Sequence, residues 1–277
     1  MRVFSIDLVK QYQTKGGRLD CYLADFPHEE DDGTWKRPAI IVVPGGAYSS
    51  VSNREGESVA LEFLSLGFHT FVLKYCVGGE SGAPYPEQLI ELAASVDYIK
   101  ENASEWRINP DEVFVVGFSA GGHLAGNLAV AYDSVSDLAR RPLACKPAGV
   151  ALCYPVITKK GHAGSFENLL YGYSEEEKTK LANELELHKR VTESTPPTFL
   201  WAMAKDRVRI ENNLLLYAQA CAAHDVDIEM HVYPQGHHGS VTGRFELNLN
   251  KQEYLKRTLS WTDDCASFFR LYCEEEF

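Results

Sequence analysis

Short apolar runs rich in β-branched residues recur at residues 39–43, 69–74, 113–116, 149–154, 198–203 and 228–233, and stretches of helical spacing separate most of them. Between residues 86 and 106, Leu89, Ala93, Val96, Ile99 and Ala103 fall at three- and four-residue steps, which places them on one helical face. Residues 58–66, 121–131, 212–224 and 262–272 carry similar signals. Strand and helix in alternation predict an α/β fold: a mainly parallel sheet with helices on both faces. Residues 3–8 and 19–24 read as an antiparallel edge hairpin, and residues 27–36 as a charged loop containing Pro and Gly. From 155 to 195 the alternation lapses into polar loop and a short helix, opened by a capping box of Ser174 and Glu177. Such a stretch is either a plain surface excursion or a small cap insertion over the strand ends, where ligands bind in sheets of this kind.

At 277 residues and 45% hydrophobic, the chain can bury one large core, and a single domain over residues 1–277 is expected. The net charge of -12, with no Lys/Arg cluster as a local exception, excludes nucleic acid and anionic membrane surfaces as expected partners. Residues 1–10 hold no apolar core of signal-peptide length, and no later stretch approaches the roughly 20 apolar residues needed to span a bilayer. Seven cysteines are scattered without a Cys-x-x-Cys pair, and Cys76, Cys145, Cys153 and Cys221 sit in apolar surroundings. Free thiols in a reducing compartment fit this usage, so a soluble cytoplasmic protein is expected; a homo-oligomer is compatible with it.

Gly117-Phe118-Ser119-Ala120-Gly121 stands directly behind the run at 113–116 and in front of a helical stretch. It matches a nucleophile elbow, a sharp strand-to-helix turn that holds a serine hydroxyl clear of the backbone. In a parallel sheet all strand C-termini share one edge, so residues just past each strand can converge there. Past 39–43 comes Pro44-Gly45-Gly46-Ala47-Tyr48, whose N–H groups, with that of Ala120, would form an oxyanion hole; read alone it is a Pro-Gly-Gly turn. Past 198–203 stands Asp206, placed to orient a histidine or to cap a following helix. Asp225 and Asp227 precede a strand and belong to the opposite edge, while Asp133 and Asp137 follow the elbow helix. Past 228–233 comes Gln235-Gly236-His237-His238-Gly239. His238 is the preferred base, because Gly236 and Gly239 let the loop carry that ring to the serine. A neutral imidazole there would accept the Ser119 proton on one nitrogen and donate from the other to Asp206. His123, four residues past Ser119, reads as a packed helical histidine. His237 and His238 lack a third His or Cys ligand at usable local spacing, so neither a metal nor another cofactor is expected.

The order Ser119, Asp206, His238 is the order Ser, Asp/Glu, His of the α/β hydrolases. With PGGAY, EGESVALEFLSLGF, INPDEVFVVGFSAGGHLA, CYPVI, TPPTFLWAMAKD and the HHG loop, residues 37–273 resemble esterase/lipase-like α/β hydrolases related to acetyl xylan esterases and to feruloyl esterase-like carbohydrate esterases. The resemblance implies the α/β-hydrolase fold, Ser119 as nucleophile, Asp206 as acid, His238 as base, and oxyanion donors among Gly45, Gly46, Ala47 and Ala120. Ala47 stands where relatives often carry a third glycine, and Val208-Arg209 where they often carry Val-Pro. The implied activity is a serine carboxylesterase on small-molecule, short-chain acyl esters, O-acetyl sugars among them. PGGAY also resembles the oxyanion loop of kynurenine formamidases, which keeps an arylformamidase or small amide hydrolase as an alternative. A non-catalytic binding protein on the same fold is the contrasting class; such proteins usually lose a triad member, and none is missing here.

Overall fold

A computed structural model of the chain describes residues 1–26, 34–79, 82–248, 258 and 260–274. The chain opens with β1 (Arg2–Asp7), the short helix α1 (Leu8–Tyr12) and β2 (Arg18–Leu23). Strand and helix then alternate through β3 (Arg37–Val43), α2 (Glu57–Ser65), β4 (His69–Lys74), α3 (Glu87–Glu101), α4 (Ala103–Trp106), β5 (Ile108–Phe118), α5 (Ala120–Ala131), α6 (Val135–Ala139) and β6 (Val150–Cys153). After α7 (Ala163–Leu169) and α8 (Glu175–Glu184) come β7 (Thr198–Met203), α9 (Leu214–Ala223), β8 (Ile228–Tyr233) and α10 (Trp261–Arg270).

The eight strands form one sheet in the order β1-β2-β4-β3-β5-β6-β7-β8, antiparallel at β1/β2 and β2/β4 and parallel from β4 to β8. The expected α/β architecture is therefore present. Central strands β3, β6 and β7 are buried along their whole length, as unbroken apolar runs covered on both faces must be, whereas the edge strand β8 alternates with partial exposure. The chain leaves β3 towards β4 on one side and β5 towards β6 on the other. Their C-terminal ends thus flank a topological switch point, the place where such sheets open a crevice.

Several boundaries differ from expectation for local reasons. The edge strands pair as expected but are joined by α1, which Asp7 starts by accepting a hydrogen bond from the Val9 N–H (3.1 Å). One long helix over 86–106 is instead two, broken at Asn102, whose side chain donates to the Tyr98 carbonyl (2.8 Å). Strand β5 starts at Ile108, five residues before its apolar run, and its register with β3 shifts between Arg37 and Ala39. The loop read at 27–36 lies mostly outside the described residues.

The stretch 155–195 holds two helices, of which only α8 was expected. Its capping box is present: Ser174 accepts from the Glu177 N–H and Glu177 from the Ser174 N–H. It is rooted in the core, with Val156, Ile157, Phe166, Leu169, Leu170, Leu185, Leu187 and Val191 all buried. At the other end of the chain, Trp261 of α10 stacks on Trp201 of β7 (5.1 Å between ring centroids), and Phe269 on Phe114 of β5 (4.4 Å). Among the described residues no helix is long and apolar enough to cross a membrane.

Because the α8 cap is exposed and independent of the core contacts, Ser174→Ala should cost about 1 kcal/mol of stability. Urea unfolding checks this; a variant as stable as the parent would show that packing alone holds the helix.

Candidate active site

Between β5 and α5, Ser119 takes φ 53° and ψ -114°, a backbone region that non-glycine residues rarely occupy. Two hydrogen bonds to the β6 end hold it: the Ser119 N–H donates to the Cys153 carbonyl and the Val156 N–H to the Ser119 carbonyl, both at 3.0 Å. The turn can close only because residue 121 is glycine; a Cβ there would lie 2.1 Å from the Val43 carbonyl oxygen.

Past β7, the Asp206 side chain is fully buried, and its Oδ1 accepts the Val208 N–H at 2.8 Å. Asp206 does not cap the following helix, whose N-cap is Asn213; its bond to Val208 is a local turn that leaves the carboxylate available. His238 Nδ1 lies 2.9 and 3.0 Å from the two Asp206 oxygens, and its Nε2 lies 2.8 Å from Ser119 Oγ. An ionised carboxylate only accepts, so Nδ1 carries the hydrogen and the Nε2 lone pair faces the serine hydroxyl. Serine, imidazole and carboxylate form one continuous hydrogen-bonded chain, an arrangement able to deprotonate an alcohol and stabilise the resulting imidazolium.

The neighbouring histidines do other work. His237 Nδ1 donates to the His238 carbonyl (2.9 Å), engaging that ring within its own loop. The loop itself is strapped down: Arg54 donates to the Gly239 carbonyl (3.0 Å), Asn248 to the Ser240 carbonyl (3.1 Å) and the Trp261 indole to the Val241 carbonyl (2.8 Å). His123 is packed, as expected of it. Its Nε2 donates to the Leu185 carbonyl (3.0 Å), so its Nδ1 accepts the Tyr48 hydroxyl (2.8 Å), tying the 44–48 loop to α5 and to the end of α8. Asp227 lies at the opposite sheet edge, where its carbonyl accepts the Thr198 N–H at the start of β7.

One expected oxyanion donor is misplaced. The Gly45 N–H donates to Glu55 Oε2 at 2.8 Å and is not free to meet a substrate oxygen. Among the described residues no group accepts the N–H of Gly46 or Ala47, and Ala120 is the first residue of α5, whose N–H has no partner within the helix. The Ala47 carbonyl is held by the Asn168 side chain at the end of α7 (2.9 Å). Glu55, Tyr154 and Asn168 were not singled out from the sequence; Glu55 and Tyr154 stand within the EGESVALEFLSLGF and CYPVI stretches, but residue type alone does not show that their side chains meet. No group of three or more His, Cys, Asp or Glu among the described residues could hold a metal ion, and all seven cysteines are free.

A parallel-sheet edge carrying a serine elbow at the switch point defines an α/β hydrolase. The BD-FAE family model matches residues 19–219, and the chain belongs to that family. It is 36% identical over 219 residues to endo-1,4-beta-xylanase B of Butyrivibrio fibrisolvens, which covers 76% of this chain and 34% of that protein. It is 29% identical over 233 residues to an acetylxylan esterase of Xylanibacter ruminicola, covering 80% of this chain and 43% of that protein. The chain thus spans less than half the length of either curated relative. Among solved structures, an acetyl ester-xyloside bifunctional hydrolase from Caldicellulosiruptor lactoaceticus superposes with a TM-score of 0.75 at 32% identity, covering 92% of this chain and 88% of that one.

Burial lowers the pKa of the His123 imidazole to about 4, against about 6.5 in the unfolded chain. The unfolded state therefore takes up the proton first, and the stability that neutral His123 contributes is present above about pH 6.5 and lost as pH falls towards 4. His123→Asn should flatten the pH dependence of stability in that window; His69, also lowered to about 4 by burial, keeps part of it. Urea midpoints at near-neutral and mildly acidic pH check the sign, and equal slopes in the two proteins would contradict it.

Proposed function

We propose that the chain is a serine carboxylesterase acting on short acyl esters, O-acetyl groups of sugars in particular. The observation that carries this reading is the 2.8 Å contact from His238 Nε2 to Ser119 Oγ, backed by the buried Asp206 carboxylate on the other ring nitrogen. Ser119 Oγ attacks the ester carbonyl as its proton passes to His238 Nε2, and Asp206 stabilises the imidazolium. The developing oxyanion takes the N–H groups of Ala120 and of the Gly46-Ala47 segment. His238 then protonates the departing alcohol, and the acyl group remains on Ser119. Water, deprotonated by the same imidazole, releases the acid and restores the serine.

The acetyl-ester assignment draws support from the names of two relatives, an acetylxylan esterase and an acetyl ester-xyloside hydrolase. The lid region argues in the same direction. Most of the large apolar side chains of residues 155–195 are buried in the core, Tyr171 being exposed, and its exposed helix α8 is Glu- and Lys-rich, unlike the broad apolar lid that long-chain substrates need. Seven unpaired thiols support a reducing compartment, the cytoplasm, as its place of work.

A fluorophosphonate should give one adduct, located on Ser119 by mass spectrometry, and Ser119→Ala should lower turnover of nitrophenyl acetate by about 10⁴ or more. His238→Ala should approach that loss, and His237→Ala should be milder. On nitrophenyl esters efficiency should peak between acetate and butyrate, with acetate released from acetylated xylo-oligosaccharides. Labelling elsewhere with activity intact in Ser119→Ala would end the serine mechanism; efficiency rising steadily to decanoate without acetate release would move the substrate class to lipids.

A further inference from the structure

Glu55 lies between β3 and α2 and is only 5% exposed. Burying a carboxylate is costly unless donors surround it, and here each oxygen has one. Oε2 accepts the Gly45 N–H and Oε1 accepts the Tyr154 hydroxyl, both at 2.8 Å. Two donors facing one side chain need two acceptors, which a carboxylate supplies and a carboxamide does not.

Each of the two partners leads to the reacting groups. Gly45 lies directly against the elbow: a Cβ at this position would be 2.9 Å from Ser119 Cβ and 2.7 Å from the Phe118 carbonyl oxygen. Drawing its N–H towards Glu55 fixes how the next two residues, Gly46 and Ala47, leave the strand. Tyr154, held at φ 37° past the end of β6, sets the edge of its ring against the His238 imidazole at 4.9 Å between centroids and 65° between planes. The carboxylate also lies under the histidine loop, with Oε1 4.0 Å from where a Cβ on Gly239 would stand. Its neighbour Arg54 ties down the Gly239 carbonyl of that same loop.

We infer that Glu55 is a positioning residue of the hydrolytic site, orienting the oxyanion loop through Gly45 and the base His238 through Tyr154. This rests on the serine esterase reading. Glu55 touches no reacting atom; it sets the distance between the two halves of the machinery, the donors that receive the carbonyl oxygen and the ring that carries the proton.

The test compares the whole chain with its Glu55→Ala, Glu55→Gln and Tyr154→Phe variants, using nitrophenyl acetate as substrate, a phenylboronic acid as tetrahedral analogue and fluorophosphonate to count active sites. Per titrated site, Glu55→Ala should lose about 10² in kcat with KM little changed, since a misplaced donor is felt in the transition state and not in substrate binding. Boronate affinity should fall in parallel. Glu55→Gln should recover part of the loss, because its oxygen can still accept the Gly45 N–H while its NH2 meets the Tyr154 oxygen. Tyr154→Phe, which leaves the Gly45 bond intact, should lower kcat with a smaller effect on boronate affinity. If Glu55→Ala does not fold, Gln and Phe decide the matter. Unchanged kcat per site in the folded variants, or a rise in KM alone, would overturn the positioning role. Failure of the parent protein to label on Ser119 would instead overturn the esterase reading beneath it.

Discussion

Strand β5 ends on a residue whose backbone sits at φ 53° and ψ -114°, and the geometry of the whole sheet edge depends on keeping it there. A serine pays conformational energy of order 1–3 kcal/mol for such a position, so the surroundings must hold it. They do so with main chain: the Ser119 N–H and carbonyl are both bonded to the end of β6, and α5 packs against the end of β3 so closely that position 121 admits no Cβ. The return is directional. A hydroxyl lifted from the switch point lies where the loops after β3, β6, β7 and β8 all arrive, which is how residues as distant in sequence as Ser119, Asp206 and His238 come within hydrogen-bonding distance.

Around that turn the protein buries several polar side chains. Asp206, Glu55 and His123 are each almost fully withdrawn from water, and each has its partners: the first on Val208 and His238, the second on Gly45 and Tyr154, the third on Tyr48 and Leu185. Satisfied networks in low dielectric are rigid, and rigidity is what an oxyanion site needs, because donors that must reorient during reaction stabilise it less. The stretch 155–195 shares in this work. Its Asn168 holds the Ala47 carbonyl and its Leu185 carbonyl anchors His123, so the segment braces the 44–48 loop as well as flanking the crevice.

Much of this was legible in the sequence, for identifiable reasons. Strands β3, β4, β6 and β7 were found nearly to the residue because parallel strands covered on both faces must be apolar runs, and the edge strand β8 because its apolar residues alternate with polar ones. The start of β5 was hidden by Asn109, Pro110, Asp111 and Glu112, three polar residues and a proline that break the apolar run. Helix α7 was missed because seven residues are too few to show a period. Ser119, Asp206 and His238 could be proposed together because each follows a strand of the same edge, a rule of topology that needs no knowledge of side-chain packing. The direction of a single N–H is a different matter. Gly45 looked like an oxyanion donor until the position of Glu55 was known; Glu55 opens the EGESVALEFLSLGF stretch, but the residue types around it do not say that its carboxylate is buried against Gly45.

The central claim is that ester cleavage passes through an acyl group carried on Ser119. Partitioning measures this most directly. Acetate esters with leaving groups of different acidity are hydrolysed in the presence of a fixed amount of methanol, and the ratio of methyl acetate to acetic acid is determined for each. A common acetyl-enzyme forgets its leaving group, so the account predicts one ratio for all the esters. A ratio that varies with the leaving group would mean that water and methanol attack the bound ester directly, and would contradict it.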